Sequence, residues 1–334
     1  MLAQVRGQGA PRAAVWLLTV GGAAVTIRML VGNASPGTNP TSMKLRRTHF
    51  ARTALALAFA LTLCAAARAQ QRPLLTEDVD VLQPGALRVQ VGIDFVQDAK
   101  FPVSGLTGDL TRVGVIGFHV GLSPNVEFSI EGVAQNYLSI NTRRAGAVTP
   151  AIAPGANTTN DTGDFRLSTK IKLRNETGRS PALGFKFGVE LPNSNETRGI
   201  GLNQTNAFGM ILVGKKFGSD GRLNTFGNLG LGIYTAPTRL FTQNDMLLYG
   251  LGGIFRVNRT VNLAAEVNGR ANTRGGSAPL GTESQGEFRL GVQVKAAGMR
   301  FDAAGIKGLT EFSPRSGITF GVTYDTPSVF TPAK

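Results

Sequence analysis

The chain has 334 residues, 42% of them hydrophobic, with 35 Lys and Arg against 21 Asp and Glu and a single Cys and Trp. That length and apolar content are enough for a sizeable core, which excludes wholesale disorder. The formal charge of +14 invites a nucleic-acid reading, but residues 1–69 hold eight basic residues and no acidic one, leaving only +6 on the other 265. The basic excess is an address rather than a binding surface, and no nucleic-acid partner is expected.

From Met43 the chain reads as a secretory signal peptide over 43–69. Lys44, Arg46, Arg47 and Arg52 precede an apolar run from Thr53 to Ala67, too short to span a bilayer, and Ala67-Arg68-Ala69 forms a small-residue cleavage site. Cys64 suggests a lipoprotein signal, but Leu63 stands where a small residue is wanted. Cleavage after Ala69 would discard Cys64 and Trp16, so the mature chain would have no thiol. Residues 1–42 are expected to be a spurious upstream extension. A membrane anchor over Ala13 to Val31 is weakened by Gly21, Gly22 and Arg28.

Beyond residue 85 the hydrophobic period is two. Leu87, Val89, Val91, Ile93 and Phe95 alternate with Arg88, Gln90, Gly92 and Asp94, and Leu183, Phe185, Phe187, Val189 and Leu191 alternate with Gly184, Lys186, Gly188 and Glu190. Twelve strands are predicted, over 86–96, 109–122, 126–140, 164–174, 182–192, 206–217, 222–234, 245–256, 260–270, 285–295, 298–304 and 316–325. The second, sixth and eighth alternate poorly. No convincing helix is found.

The connections alternate in length. Short links at 123–125, 175–181, 218–221, 257–259 and 296–297 interleave with longer ones at 97–108, 141–163, 193–205, 235–244, 271–284 and 305–315. Tight turns at one end and loops at the other, with an even strand number, predict an all-β fold: a transmembrane antiparallel up-and-down barrel of about twelve strands over 86–326, with a tail at 327–334. A soluble sandwich or lipocalin-like barrel also shows period two. Against it stand strands of bilayer-crossing length, a fourth strand carrying Arg166, Lys170, Lys172 and Arg174 on its polar face, and 37 Gly in the 265 mature residues. Tyr249 and Tyr324 share the parity of the lipid-facing residues, whereas Tyr137 and Tyr234 have lumen parity unless a bulge intervenes.

Chemistry is scarce. His119 is the one histidine after residue 69, so no metal cluster and no cofactor are expected. Ser123 and Ser129 lie near it in sequence, the basis of a surface-hydrolase alternative, but a structural or lumen role is favoured, and no enzyme is expected. Gly227, Gly230 and Gly232 read as barrel glycines rather than a phosphate loop, since no helix follows. Parity turns Arg88, Arg166, Lys170, Lys172, Arg174, Lys186, Arg270, Arg289 and Lys295 inward with Asp94, Glu127, Glu131, Glu190, Glu266 and Glu287. The candidate path is Arg88, Asp94, His119, Glu131, Arg166, Lys170, Lys186, Glu190, Glu266, Arg270 and Arg289. Each is either part of a satisfied polar core or a selectivity element.

Several short motifs carry a resemblance. Arg72-Pro73-Leu74-Leu75-Thr76-Glu77-Asp78 with Pro84-Gly85, Gly163-Asp164-Phe165-Arg166-Leu167 with Lys170, Glu190-Leu191-Pro192, Glu266-Val267-Asn268-Gly269-Arg270 and Gly321-Val322-Thr323-Tyr324-Asp325 resemble the outer-membrane transporters of the phenol-degradation meta-pathway family. The resemblance spans nearly all of the chain after residue 69. It implies a bacterial outer-membrane location, passive uptake of small hydrophobic or aromatic compounds through a constricted lumen, and a small periplasmic plug formed by residues 70–85. The implied partners are outer-membrane lipids, the permeant and, during biogenesis, the outer-membrane assembly machinery. The chain departs from the usual aromatic C-terminus, so Tyr324 or Phe330 must supply that assembly signal. A structural or surface-interaction barrel working through loop 141–163 is the alternative.

Overall fold

The computed structural model describes residues 15–20, 23–28 and 72–331, apart from 219 and 239–242. The chain divides into two units at residue 62. In the first, β1 (Val15–Val20) and β2 (Ala23–Arg28) pair as an antiparallel hairpin. The proposed signal peptide lies outside the described residues, as does the upstream extension apart from this hairpin.

The second unit is a closed, twelve-stranded antiparallel barrel. Its strands are β3 (Leu87–Phe101), β4 (Leu106–Ser123), β5 (Val126–Arg143), β7 (Phe165–Arg174), β8 (Ala182–Leu191), β9 (Asn206–Phe217), β10 (Leu223–Thr235), β11 (Gln243–Arg256), β12 (Val261–Asn272), β13 (Gln285–Ala296), β14 (Met299–Gly308) and β15 (Ser316–Asp325). Each pairs with its neighbour, and β15 returns to β3 through the register Asp325↔Arg88 to Ser316↔Gln97. Every predicted segment forms a strand. Among the described residues the only helical element is a 3-10 turn at Glu196–Arg198.

Two connections differ from expectation. The predicted long loop at 97–108 is a tight turn, because β3 and β4 run on to Phe101 and Leu106 and pair there. Inside the predicted loop 141–163, β6 (Thr158–Asp161) pairs with Asn136–Ser139 of β5. β5 has 18 residues but β7 only ten, and β7 covers β5 only from Val126 to Glu131. β6 thus occupies part of an edge that would otherwise expose unpaired backbone groups.

The barrel is inside out relative to a soluble protein. Val91, Leu229, Leu251, Leu290 and Phe320 are exposed on its exterior, whereas Arg88, Asp94, Lys170, Lys186, Glu266 and Arg289 are buried inside. Apolar surface on this scale is unfavourable in water and favourable against lipid. The structure also explains the strands that alternate poorly. In β4, Gly114 adopts φ +65 and has no partner on β3, where Gly92 pairs with Val115 and Ile93 with Val113. This bulge reverses the facing, so His119 is buried on one side of it and Leu110 on the other. On β5 the same reversal buries Leu138 and leaves Tyr137 on the exterior. β9 and β11 carry no such shift; their inner faces are themselves apolar, with Phe208, Leu212, Met246 and Ile254 buried.

Residues 72–86 run inside the barrel before entering β3. Leu74 packs against Phe226, Ile254 and Ala264, and Val79 against Ala182 and Leu212. At the long-loop end, Ile152 and Ile200 pack over Val96, Leu106, Leu110, Leu138 and Ile306.

Leu251, 69% exposed on the outer face of β11, reads out the lipid contact. Replacing it with Arg is expected to cost about 2–4 kcal/mol if it lies near the bilayer midplane, measured as the unfolding free energy of the barrel refolded in liposomes; an unchanged value would place this face outside the hydrocarbon.

Candidate functional site

The lumen is organised by the inner segment, which touches the wall strand by strand. At its start, Arg72 donates to Thr319 Oγ1 at 2.9 Å and lies 3.5 Å from Asp94 and 3.7 Å from Asp302. Gln293 and Arg289 donate to the carbonyls of Arg72 and Pro73, at 2.6 and 3.0 Å. The backbone N–H groups of Leu75 and Thr76 donate to the two carboxylate oxygens of Glu266, at 2.8 and 2.7 Å. Asn228 accepts from Glu77 N and donates to Glu77 O, at 2.7 and 2.9 Å, so one side-chain amide replaces a strand pairing.

The second half of the segment is held by charge. The Glu77 carboxylate meets Lys186 and, at 3.5 Å, Lys170. Asp80 lies 2.9 Å from Lys172 and 2.8 Å from Lys216. Asn224 donates to Asp78 at 2.8 Å, and Leu82 N donates to Glu127 at 2.8 Å. Thr76 comes so close to β11 that a Cβ on Gly250 would lie 2.7 Å from its hydroxyl, so beside this threonine only glycine fits. Burial opposes ionisation of Asp80, but the two ammonium groups outweigh it and hold its carboxyl below the usual range. Burial and the neighbouring Asp80 push Asp78 the other way.

On the long-loop side of this segment lies a cavity of about 610 Å³, of ligand-site size. Leu75, half exposed, and Thr76 form part of its floor, and Phe208, Met210 and Leu248 line one wall. Arg166 lies over the Phe208 ring at 5.1 Å and Arg270 over the Tyr234 ring at 5.2 Å.

Seven of the eleven candidate residues line this cavity: Asp94, Glu131, Arg166, Lys186, Glu190, Arg270 and Arg289. Glu266 and Lys170 hold the inner segment instead. Arg88 is fully buried near the short turns, donating to Asp325 at 2.8 Å. His119, 1% exposed, lies 3.2 Å from Glu127 and faces the lumen, while Ser129 is hydrogen bonded to Ser168 at 2.8 Å. Among the described residues no serine hydroxyl is hydrogen bonded to His119, so the hydrolase constellation is not assembled. Two further residues that parity turned inward are exposed instead. Arg174 reaches Pro181 O beyond a register shift in β7, and Lys295 stands at the end of β13.

Sequence parity missed Arg112, Asn136, Phe208, Met210 and Leu248, all lining the cavity, whereas Tyr234 lines it as its parity predicts. The first two stand beyond the bulge. The other three belong to inner faces that period two reads as ambiguous.

No family model matches this chain, and no curated protein matches it. Among solved structures, an outer membrane channel from Pseudomonas putida F1 superposes with a TM-score of 0.55 at 15% identity, covering 75% of this chain and 98% of the other. The NanC porin (TM-score 0.43, 9% identity, 72% and 98% covered) and the toluene transporter TodX of Pseudomonas putida (0.38, 12%, 72% and 89%) are more distant. The likeness to the first establishes a shared barrel fold.

The Asp80 anchor is expected to persist from neutral pH down through the ordinary carboxylate range and to fail only as pH falls through its depressed value, since a lowered folded-state pKa stabilises above the unfolded one. Amide hydrogen exchange across 78–82 should show this, with Asp80→Asn exchanging faster already at pH 7; equal protection in both proteins at pH 7 would show that the ion pairs do not hold the segment.

Proposed function

We propose that this chain is a bacterial outer-membrane channel through which small hydrophobic compounds, aromatic ones among them, diffuse down their gradient. The observation that carries the reading is the lumen cavity of about 610 Å³, with an apolar wall of Phe208, Met210 and Leu248 and a floor formed by the inner segment. Its volume suits a molecule of one or two rings rather than a large solute. The exterior apolar band suits a bilayer, the signal-peptide pattern over 43–69 suits export, and the related barrel from Pseudomonas putida F1 is itself described as a channel. The motif resemblance to the phenol-degradation transporters points to the same class of permeant. No step of this function requires catalysis.

On this reading the inner segment is the barrier between the cavity and the short-turn end, and passage requires it to shift. The native chain helps the test, because its single cysteine is Cys64. In a protein beginning at Gln70, Thr76→Cys with Gly250→Cys would place two Cβ atoms about 3.2 Å apart, a few tenths of an ångström inside the usual disulfide range. Oxidation is expected to slow uptake of phenol or toluene into proteoliposomes about tenfold or more, and reduction to restore it. Equal flux in both states would remove the segment as barrier, and no flux of any aromatic solute through the unmodified barrel would overturn the channel reading.

A further inference from the structure

Among the described residues, the cations lining the cavity are paired with one exception. Arg72 and Arg112 share Asp94, Arg166 has Glu190 at 3.1 Å, Lys186 has Glu77 and Glu131, and Arg289 has Glu287 at 2.7 Å. Arg270 has no carboxylate within 4 Å among the described residues, and its buried Nε has no hydrogen-bond partner there. Glu287, an inward acid on the adjoining strand, is committed to Arg289 and Asn268. A half-buried guanidinium without a counter-charge attracts an anion more strongly than one on an open surface.

Its surroundings are built rather than loose. The guanidinium rests on the Tyr234 ring, and Leu248 is its cross-strand partner on β11. Gly232 lies between them: a Cβ there would be 3.4 Å from the Tyr234 ring and 3.5 Å from Leu248 Cδ1. Gly232 is also the register partner of Phe208 on β9. Arg270, Tyr234, Leu248, Gly232 and Phe208 therefore form one continuous patch, cationic at one end and apolar along the rest.

We propose that this patch is a binding site for small organic monocarboxylates, with Arg270 taking the carboxylate and the apolar body of the ligand lying over Gly232 between Leu248 and Phe208. The site rests on the channel reading above and narrows its permeant from hydrophobic compounds in general to amphipathic acids.

The test uses the barrel from Gln70 onward, refolded in detergent for calorimetry and in liposomes for flux, with benzoate, benzyl alcohol and acetate as probes. Benzoate is expected to bind more tightly than either of the others, since only it engages both ends of the patch. Arg270→Gln should weaken benzoate binding about tenfold or more and bring the benzoate to benzyl alcohol ratio close to one. Arg270→Lys, which keeps the charge but not the planar fork, should recover part of the loss and guards against a folding defect in the first variant. Benzoate binding that is equal in the native barrel and Arg270→Gln, or no stronger than that of benzyl alcohol in the native barrel, would overturn the site. The two readings fail separately: benzyl alcohol flux with indifferent benzoate binding removes the site and leaves the channel, whereas Arg270-dependent benzoate binding without flux of any probe supports the site and removes the channel.

Discussion

Twelve strands enclose a lumen wider than their own inward side chains can fill, yet those side chains include ammonium, guanidinium and carboxylate groups shielded from bulk solvent. A charge in such a place is tolerated only when paired or hydrogen bonded. The inner segment meets both demands at once. Its acidic stretch Glu77-Asp78-Val79-Asp80 lies against Lys170, Lys172, Lys186 and Lys216 of β7, β8 and β9, and its free backbone N–H groups lie against Glu266 of β12. Wall and segment are electrostatic complements, so the position of one sets the position of the other.

What remains open in the lumen follows from that fit. The segment fills the half next to the short turns, and Ile152 and Ile200 cover the apolar inner faces of β3, β4, β5 and β14 at the long-loop end. The cavity lies between, bounded by ion pairs on β7 and β8 and by aromatic and aliphatic side chains on β9, β10 and β11. Its mixed lining is a consequence of which strands the segment uses for its own hydrogen bonds and which it leaves uncovered.

Much of the wall was legible from residue pattern. Val89, Val91 and Phe95 face out and Arg88, Gln90 and Asp94 face in because a strand has a period of two and a closed sheet has only two faces. The pattern failed where a backbone irregularity or a second apolar layer entered. Gly114 inserts one unpaired residue and reverses β4, and no alternation count distinguishes that glycine from the many others. Phe208 and Ile254 look misplaced on a lumen face until the cavity and Leu74 are seen against them. β6 is four residues long and forms because β5 outruns β7, a fact about two other strands rather than about its own sequence.

The sequence by itself determined the number of barrel strands, the end that carries most of the tight turns and the facing of the strands that alternate cleanly, because all three depend on local periodicity and turn chemistry. Only the tertiary structure decided which inward charges find partners. Pairing depends on register across strands and on a segment far away in sequence: Glu77 meets Lys186 across 109 residues, and Arg289 meets Pro73 O across 216. Arg270 stands out from the other cations lining the cavity only after those pairings are known.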